Sequence, residues 1–309
     1  MNLPDLIEQF RSEDKCREYL EDLRWPNGVR CPRCGTDSIS WIEKREQHQC
    51  NEPSCRYQFS VKAGTVFHDS HLPLWKWFLA IYLIGESKKG ISAKQLERTL
   101  GVSYKTAWYL GHRVRSAMED GSPVPLKGIV EVDETWIGGY ARGSGGKWRE
   151  HKKMVLGAIA RGGEVRLEVR DGPGQESKVS YRTFVETNVD GRAEMIFTDC
   201  DRSWGDMNDM DTAHEKVDHG REEWVRGIVH TNTIEGVWSL FKRGVVGTYH
   251  QLSAKHLPAY LDEMAFRFNN RDNAYLFRDT LLRMIEGETL PYAELVADDA
   301  AQGIGVASG

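Results

Sequence analysis

No apolar run in the chain reaches the roughly eighteen residues that a membrane-spanning helix needs. The longest candidate, WKWFLAIYLIG from Trp75, is too short and carries Lys76. No membrane partner is therefore expected. The N-terminus, MNLPDLIEQF, lacks a basic segment followed by an apolar one, so no secretion signal is expected and the cytoplasm is the default location. Internal repeats are absent, and no glycine-rich stretch has Walker-type order, so no nucleotide site is implied. A strong charge of one sign is also missing. The formal net charge of −5 argues weakly against a nucleic-acid partner, although binding depends on local patches. From His71 to Met118 the only acids are Glu86 and Glu97, against eight lysines and arginines, so one basic stretch does exist. With 40% hydrophobic and 28% charged residues, the chain has the composition of an ordinary globular protein, and its 309 residues suffice for two domains or for one domain with appendages.

Cysteine is scarce, but four of the six cluster: Cys31 and Cys34 in CPRCG, then Cys50 and Cys55. Without a secretion signal, such a cluster reads as metal binding before disulfide bonding. Four thiolates at these spacings close a tetrahedral structural zinc site with no open position. The second pair, with four residues between the cysteines, makes a looser turn. Short strands are expected around Ser38–Trp41 and Tyr57–Val61. Cys16 and Cys200 read as small buried hydrophobes rather than ligands.

After Pro73, LWKWFLAIYLIGE is apolar nearly all round and predicts a buried helix. ISAKQLERTLGVSYKTAWYLGHRVRSAM then predicts two helices. Ser92 caps the first, Gly101 ends it, and Ser103 caps the second. The second is expected to bury Ala107, Leu110 and Val114 and to expose Tyr104, Lys105, Trp108, Arg113 and Arg115. This is a helix-turn-helix pattern, with Tyr104, Lys105, Arg113 and Arg115 as candidate DNA contacts. The alternative is a plain helical hairpin inside a larger bundle.

From Lys127 the texture changes. VEVDETWIGG reads as a strand with Asp133 at its tip. Segments 154–161 and 164–170 read as a hairpin turning at Gly162-Gly163, SYRTFVETNV as a helix, and AEMIFTDC as a strand ending at Asp199. HTNTIEGVWSLFKRGVVGTY opens a helix that carries Glu235 within its first two turns. Three strands, a helix, a strand and a helix is the order of an RNase H-like fold. Neighbouring strand ends would bring Asp133 beside Asp199, with Glu235 arriving from the helix. Three converging carboxylates are costly unless a cation neutralises them, and hard oxygens suit Mg²⁺ or Mn²⁺. Two such ions activate a water or a 3′-hydroxyl against a phosphodiester. A strand acidic only for solubility is the alternative. Glu131 shares a face with Asp133 by the period-two rule, but with Glu134 and Asp201 it is taken as a neighbour of the ligands. Arg142 and Lys147, in the Gly-rich basic segment 141–153, are candidate phosphate contacts, or part of a solvated loop. Residues 201–220 lack apolar periodicity and read as loop. The acidic tail is expected to be disordered.

VDETWIGG, FTDCDRSW and HTNTIEGVWSLFKRGVVGTYHQLSAKHLPAYLDEMAFRFNNR resemble the motif blocks of bacterial DDE-type insertion-sequence transposases. The resemblance is to the family with an N-terminal zinc ribbon and an ISXO-type transposase domain. CPRCG, QFSVKAGTVF and LPLWKWFLAIYLI resemble its N-terminal part. The resemblance implies cut-and-join or copying chemistry on the element's own DNA ends, through Mg²⁺ ions and a 3′-hydroxyl. The family varies at the third acidic position, where an Asn-containing motif occurs, and here Asn232 and Glu235 stand at i and i+3. Glu235 is taken as the third ligand, because carboxylate binds a hard cation better than amide does. Asn232 and His230 then support the ligands or position substrate. Lys242, two turns beyond Glu235, is a candidate contact to the DNA phosphate or a solvated surface lysine. The fold class is α/β (α+β overall), in four parts: helix and zinc ribbon over 1–70, helix-turn-helix over 71–126, RNase H-like domain over 127–285, and tail over 286–309. The expected partners are element ends and target DNA, with a homo-oligomer on paired ends. In that reading the protein is bacterial and sits on the nucleoid when bound to DNA. The rival readings are a zinc-ribbon regulator with a decayed core, and a nuclease that does not join strands.

Overall fold

Capping residues written in the sequence start the early helices. Asn2, Ser12, Ser92 and Ser103 each accept a backbone N–H three residues on. The computed structural model describes residues 1–138, 152–170, 176–200, 204, 212–250 and 252–297. Arg142, Lys147 and Asp201 lie outside the described residues. The chain divides into two units, one of Met1–Ser87, Ile91–Met118 and Asn273 onward, the other of Lys88–Gly90 and Glu119–Asp272.

The first unit holds helices α1 (Leu3–Gln9) and α2 (Glu13–Arg24), then strands β1 (Ile39–Ile42), β2 (Gln47–Cys50) and β3 (Gln58–Phe59) in a small antiparallel sheet of order β1-β2-β3. Helices α3 (Leu74–Glu86), α4 (Ala93–Leu100) and α5 (Tyr104–Ser116) follow. Pro73 cannot cap α3 with a side chain, and Glu13 supplies the acceptor instead, 2.8 Å from the Leu74 amide. Gly101 ends α4 in the left-handed region at φ +60, a conformation that costs a residue with a Cβ.

Two more helices, α9 (Leu276–Glu286) and α10 (Tyr292–Val296), belong to this unit. Phe277 of α9 meets the rings of Phe10 and Phe78 at centroid distances of 5.8 and 5.5 Å. Leu295 is buried, and Tyr109 donates to the Leu290 carbonyl. The chain thus leaves the second unit at Asp272, earlier than the boundary at 285 read from sequence. The stretch to Ala297 also differs from the disordered tail expected from its acidity, because its few apolar residues are spent on this contact.

The second unit is a five-stranded mixed sheet of order β6-β5-β4-β7-β8. Its strands are β4 (Ile129–Ile137), β5 (Lys153–Ala160), β6 (Val165–Arg170), β7 (Met195–Asp199) and β8 (Ala213–Val217). The first three run antiparallel, and β7 and β8 run parallel to their inner neighbours. This is an RNase H-like arrangement. Helix α6 (Lys178–Asn188) covers one face over Val130, Val132, Leu156 and Ile196. Helices α7 (Asn232–Gly244) and α8 (Leu257–Asn269) cover the other, over Val155, Ile159 and Val165. Strand β8 falls in the segment read as loop. Its AHEKV turns only His214 and Val217 fully inward, too few apolar residues for a periodic signal, and His214 pairs with Thr198 at 2.9 Å.

Asp262 on α8 is half-buried, and burial, then the Glu119 charge, pushes its carboxyl up to about 7 from 3.8. A folded-state value above the unfolded one means that the folded protein holds the proton more tightly. Stability therefore falls as pH rises from about 4 towards 7. Asp262→Asn is expected to raise the thermal midpoint at pH 8, by about 1–2 kcal/mol of stability, and to leave it unchanged at pH 4. Melts at the two pH values check this.

Candidate active site

Parallel pairing between β4 and β7 ends at Glu131 with Phe197. Asp133 and Asp199 each lie two residues further on, where β4 stays paired with β5 and β7 with β8. The crevice that opens there, beyond the carboxyl end of β7, is where open sheets of this kind hold ligands. Asp133 is thus not at the tip of its strand as the sequence reading had it. It sits mid-strand, opposite Gly157, and only its β7 side is unpaired.

Helix α7 crosses this crevice and brings Glu235. Asp133, Asp199 and Glu235 line one cavity of about 870 Å³, together with Lys89, Glu134, Trp238, Lys242 and Arg243. Burial, then the Asp199 charge, with a smaller contribution from Glu235, pushes the Asp133 carboxyl up to about 7. Hydrogen bonds from the Glu134 backbone and the Trp238 side chain act in the opposite direction. Thr231 Oγ1 donates to Glu235 Oε1 at 3.0 Å. Asn232, the first residue of α7, is exposed and is not among the described residues lining the cavity.

Three contacts fix α7 over the sheet that the sequence reading did not anticipate. The Trp238 indole donates to Asp133 Oδ2 at 2.9 Å. Gly157 makes room for that ring, since a Cβ there would stand 2.5 Å from Trp238 and 3.0 Å from Ile234. Glu131, fully buried, accepts from the Thr233 and Ile234 amides at the start of α7 at 2.7 and 3.1 Å. The period-two rule had put Glu131 on the Asp133 face, but sequence carries no sign that a helix start lands on it. Glu134 instead accepts from Trp204 Nε1 at 3.0 Å. Gly157→Ala is expected to leave the protein folded, destabilised by about 1–3 kcal/mol, because overpacking forces shifts. Displacing Trp238 and α7 by a fraction of an ångström should lower any metal-dependent activity roughly 10²-fold. A melt combined with an activity assay separates the two effects.

Four thiols make the other cluster. The sulfurs of Cys31, Cys34, Cys50 and Cys55 all lie within 4.8 Å of one another, with Cys31–Cys55 at 3.8 Å and Cys34–Cys50 at 3.6 Å. Cys16 is buried, as read, and burial followed by the Glu13 charge pushes its thiol up to about 12. Cys200 is exposed, contrary to the sequence reading, because it lies just past the end of β7.

Two of the arginines proposed as DNA contacts are not on the surface. Arg113 and Arg115 are 4% and 3% exposed. The Arg113 guanidinium donates to the Val66 and His68 carbonyls and lies over the Trp77 ring at 5.0 Å. The turn before α3 leaves those carbonyls without helical partners, and Arg113 satisfies them. Tyr104 and Lys105 are exposed at the start of α5. No described helix is long and apolar enough to cross a membrane.

Residues 125–269 match the ISXO2-like transposase domain, and residues 11–58 match the transposase zinc-ribbon domain. An uncharacterized protein in transposable element ISH50 of Halobacterium salinarum is 30% identical over 280 residues, covering 84% of this chain and 92% of its own. A chain in the crystal structure of the Mos1 strand transfer complex is 11% identical with a TM-score of 0.30, over 68% of this chain and 75% of that one. A chain in the simian T-cell lymphotropic virus intasome in complex with PP2A regulatory subunit B56 gamma is 12% identical with a TM-score of 0.29, over 75% and 78%. Sequence identity extending across most of both chains, with two domain matches falling on the cysteine cluster and on the mixed sheet, makes this chain a member of the ISXO2-like transposases that carry an N-terminal zinc ribbon.

Proposed function

We propose that the protein cuts and joins the DNA ends of its own mobile element at the Asp133, Asp199 and Glu235 cavity. The observation that carries this reading is that three carboxylates from two strands and a helix line one open cavity, which Lys89, Lys242 and Arg243 also line. The donor set fits a hard divalent cation. Its oxygens are carboxylate only, and burial, then the Asp199 charge, raises the Asp133 carboxyl, a cost that a bound cation would relieve. Asp133, Asp199 and Glu235 would hold Mg²⁺ or Mn²⁺. Bound there, such ions supply Lewis acidity to the scissile phosphodiester and to an attacking water or 3′-hydroxyl. Trp238 holds Asp133 Oδ2 in place beneath α7. Lys242, with Lys89 and Arg243, which the sequence reading left out of the site, would hold the DNA backbone by charge, as phosphate contacts do.

In this reading the four cysteines hold a structural zinc. The α4–α5 pair acts as a helix-turn-helix through Tyr104 and Lys105, without Arg113 and Arg115. Asn232 at the mouth of α7 positions substrate. Two or more copies hold the paired ends. The test is strand cleavage and joining with Mg²⁺ on DNA carrying the element's own ends. Cleavage with joining supports a transposase. Cleavage without joining favours a nuclease, and binding without cleavage favours a regulator.

A further inference from the structure

An ion pair between fully buried Glu131 and half-buried Arg161 touches all three elements that carry the acids. Glu131 on β4 is 0% exposed and sits two residues before Asp133 on the same strand face. Its Oε1 accepts from Arg161 Nε at 2.7 Å and from Thr233 Oγ1 at 2.8 Å, and stands 3.2 Å from His230 Nδ1. Its Oε2 accepts from the amides of Thr233 and Ile234, the second and third residues of α7. Arg161, just past the end of β5, carries the link onward. It donates to the carbonyls of Ile228 and His230 at 2.8 and 3.1 Å, fixing the chain that leads into α7. Its guanidinium also lies 4.8 Å over the ring of Phe197, two residues before Asp199 on β7. The Asp133 strand, the Asp199 strand and the Glu235 helix are therefore joined through one carboxylate and one guanidinium.

An ion pair whose carboxylate is fully buried and whose guanidinium is partly so is a weak source of stability. Desolvating two charges offsets most of their attraction, and apolar side chains of similar volume hold a core as well. What the pair supplies and apolar packing does not is direction. Four hydrogen bonds converge on one carboxylate and fix both the rotation and the height of α7 against β4. Ligand geometry of that kind governs cation affinity, since outer partners of metal ligands typically matter 10–100-fold. We propose that Glu131 and Arg161 are positioning residues that set the spacing of Asp133, Asp199 and Glu235 for a divalent cation. This rests on the metal-site reading of the cavity.

The test is Mn²⁺ titrated into the full-length, zinc-loaded protein, with free Mn²⁺ counted by electron paramagnetic resonance well below every variant's unfolding midpoint. Glu131→Gln and Arg161→Lys are expected to weaken Mn²⁺ binding about 10–100-fold with the far-ultraviolet circular dichroism unchanged. Thr233→Val, which removes one bond to Glu131, is expected to weaken it by a smaller factor. A folded Glu131→Gln or Arg161→Lys protein that binds Mn²⁺ like wild type overturns the proposal, even if its melting point has dropped. If Glu131→Gln does not fold, Arg161→Lys and Thr233→Val decide by the same criterion. Asp133→Asn separates the two levels. If Asp133→Asn keeps full Mn²⁺ affinity, the metal site itself is misassigned. If Asp133→Asn loses binding while the Glu131 and Arg161 variants keep it, only the positioning role fails.

Discussion

Asp133→Asn is expected to abolish strand cleavage while making the metal-free protein more stable. The two effects have one cause. Burial and the neighbouring Asp199 charge lift the Asp133 carboxyl from 3.8 to about 7. A folded-state value above the unfolded one means that ionising Asp133 favours unfolding, so its penalty grows as pH rises from about 4 to 7 and is complete above that. Asparagine carries no charge, and its Oδ1 still accepts from the Trp238 indole, so the contact that seats α7 survives. A gain of roughly 2–4 kcal/mol at pH 8 is expected, with none at pH 4. A cavity that loses one of three carboxylates should lose at least about 10³-fold in cleavage rate, because ligands that act as a unit fail together. Asp199→Asn and Glu235→Gln should match the loss of cleavage, with end binding retained in all three. Thermal melts without added divalent cation and a Mg²⁺-dependent cleavage assay check both halves. A variant that loses both stability and cleavage would mark Asp133 as a structural acid. An active Glu235→Gln beside an inactive Asn232→Ala would move the third ligand to Asn232.

The parts of this site that were legible in sequence follow a local period. Val130 and Val132 alternate with Glu131 and Asp133, so the acid face of β4 could be read from four residues. The caps at Ser92 and Ser103 and the turn at Gly101 likewise sit within a few residues of what they cap. What escaped depends on partners far along the chain. Glu131 reads as a spare acid until the start of α7, some hundred residues on, supplies its donors. Gly157 reads as one small residue in an apolar strand until Trp238 fills the space above it. Arg113 and Arg115 show how a correct helix can yield the wrong surface. Their spacing left the exposed face plausible, but the carbonyls of Val66 and His68 needed donors and took one of the two inward. Strand β8 went unseen because an edge strand can be built from polar residues when a single valine and a bonded histidine hold it.

Removing a metal from the cysteine cluster is expected to unfold the ribbon, because its own apolar core is small. Its small core consists of Cys31, Cys50, Phe59 and Ala63, with Trp25, Val29, Ile39 and Tyr57 packed at the side. Two of those four buried residues are themselves thiols. The three strands are short, and β3 is only two residues long. A segment of this size cannot bury enough apolar surface to offset its chain entropy without a cross-link. The sulfur separations of 3.6 and 3.8 Å fit the edge of a tetrahedron with metal–sulfur bonds of about 2.3 Å, which is about 3.8 Å. Binding of a structural zinc typically contributes on the order of 10 kcal/mol of folding free energy in such sites. One zinc per chain is expected in wild type and in Cys16→Ala, whose thiol is held protonated by burial, and none in a Cys50→Ser protein. Elemental analysis gives the stoichiometry. Amide exchange in β1 and β2 should rise to unprotected rates on chelation, whereas β4 and β5 keep their protection. A stripped protein with a protected β2 would show that side-chain packing, rather than a metal, carries the ribbon. The loss should extend to end binding if the ribbon reads DNA with α5. End binding that survives chelation would assign recognition to the exposed start of α5, at Tyr104 and Lys105, alone.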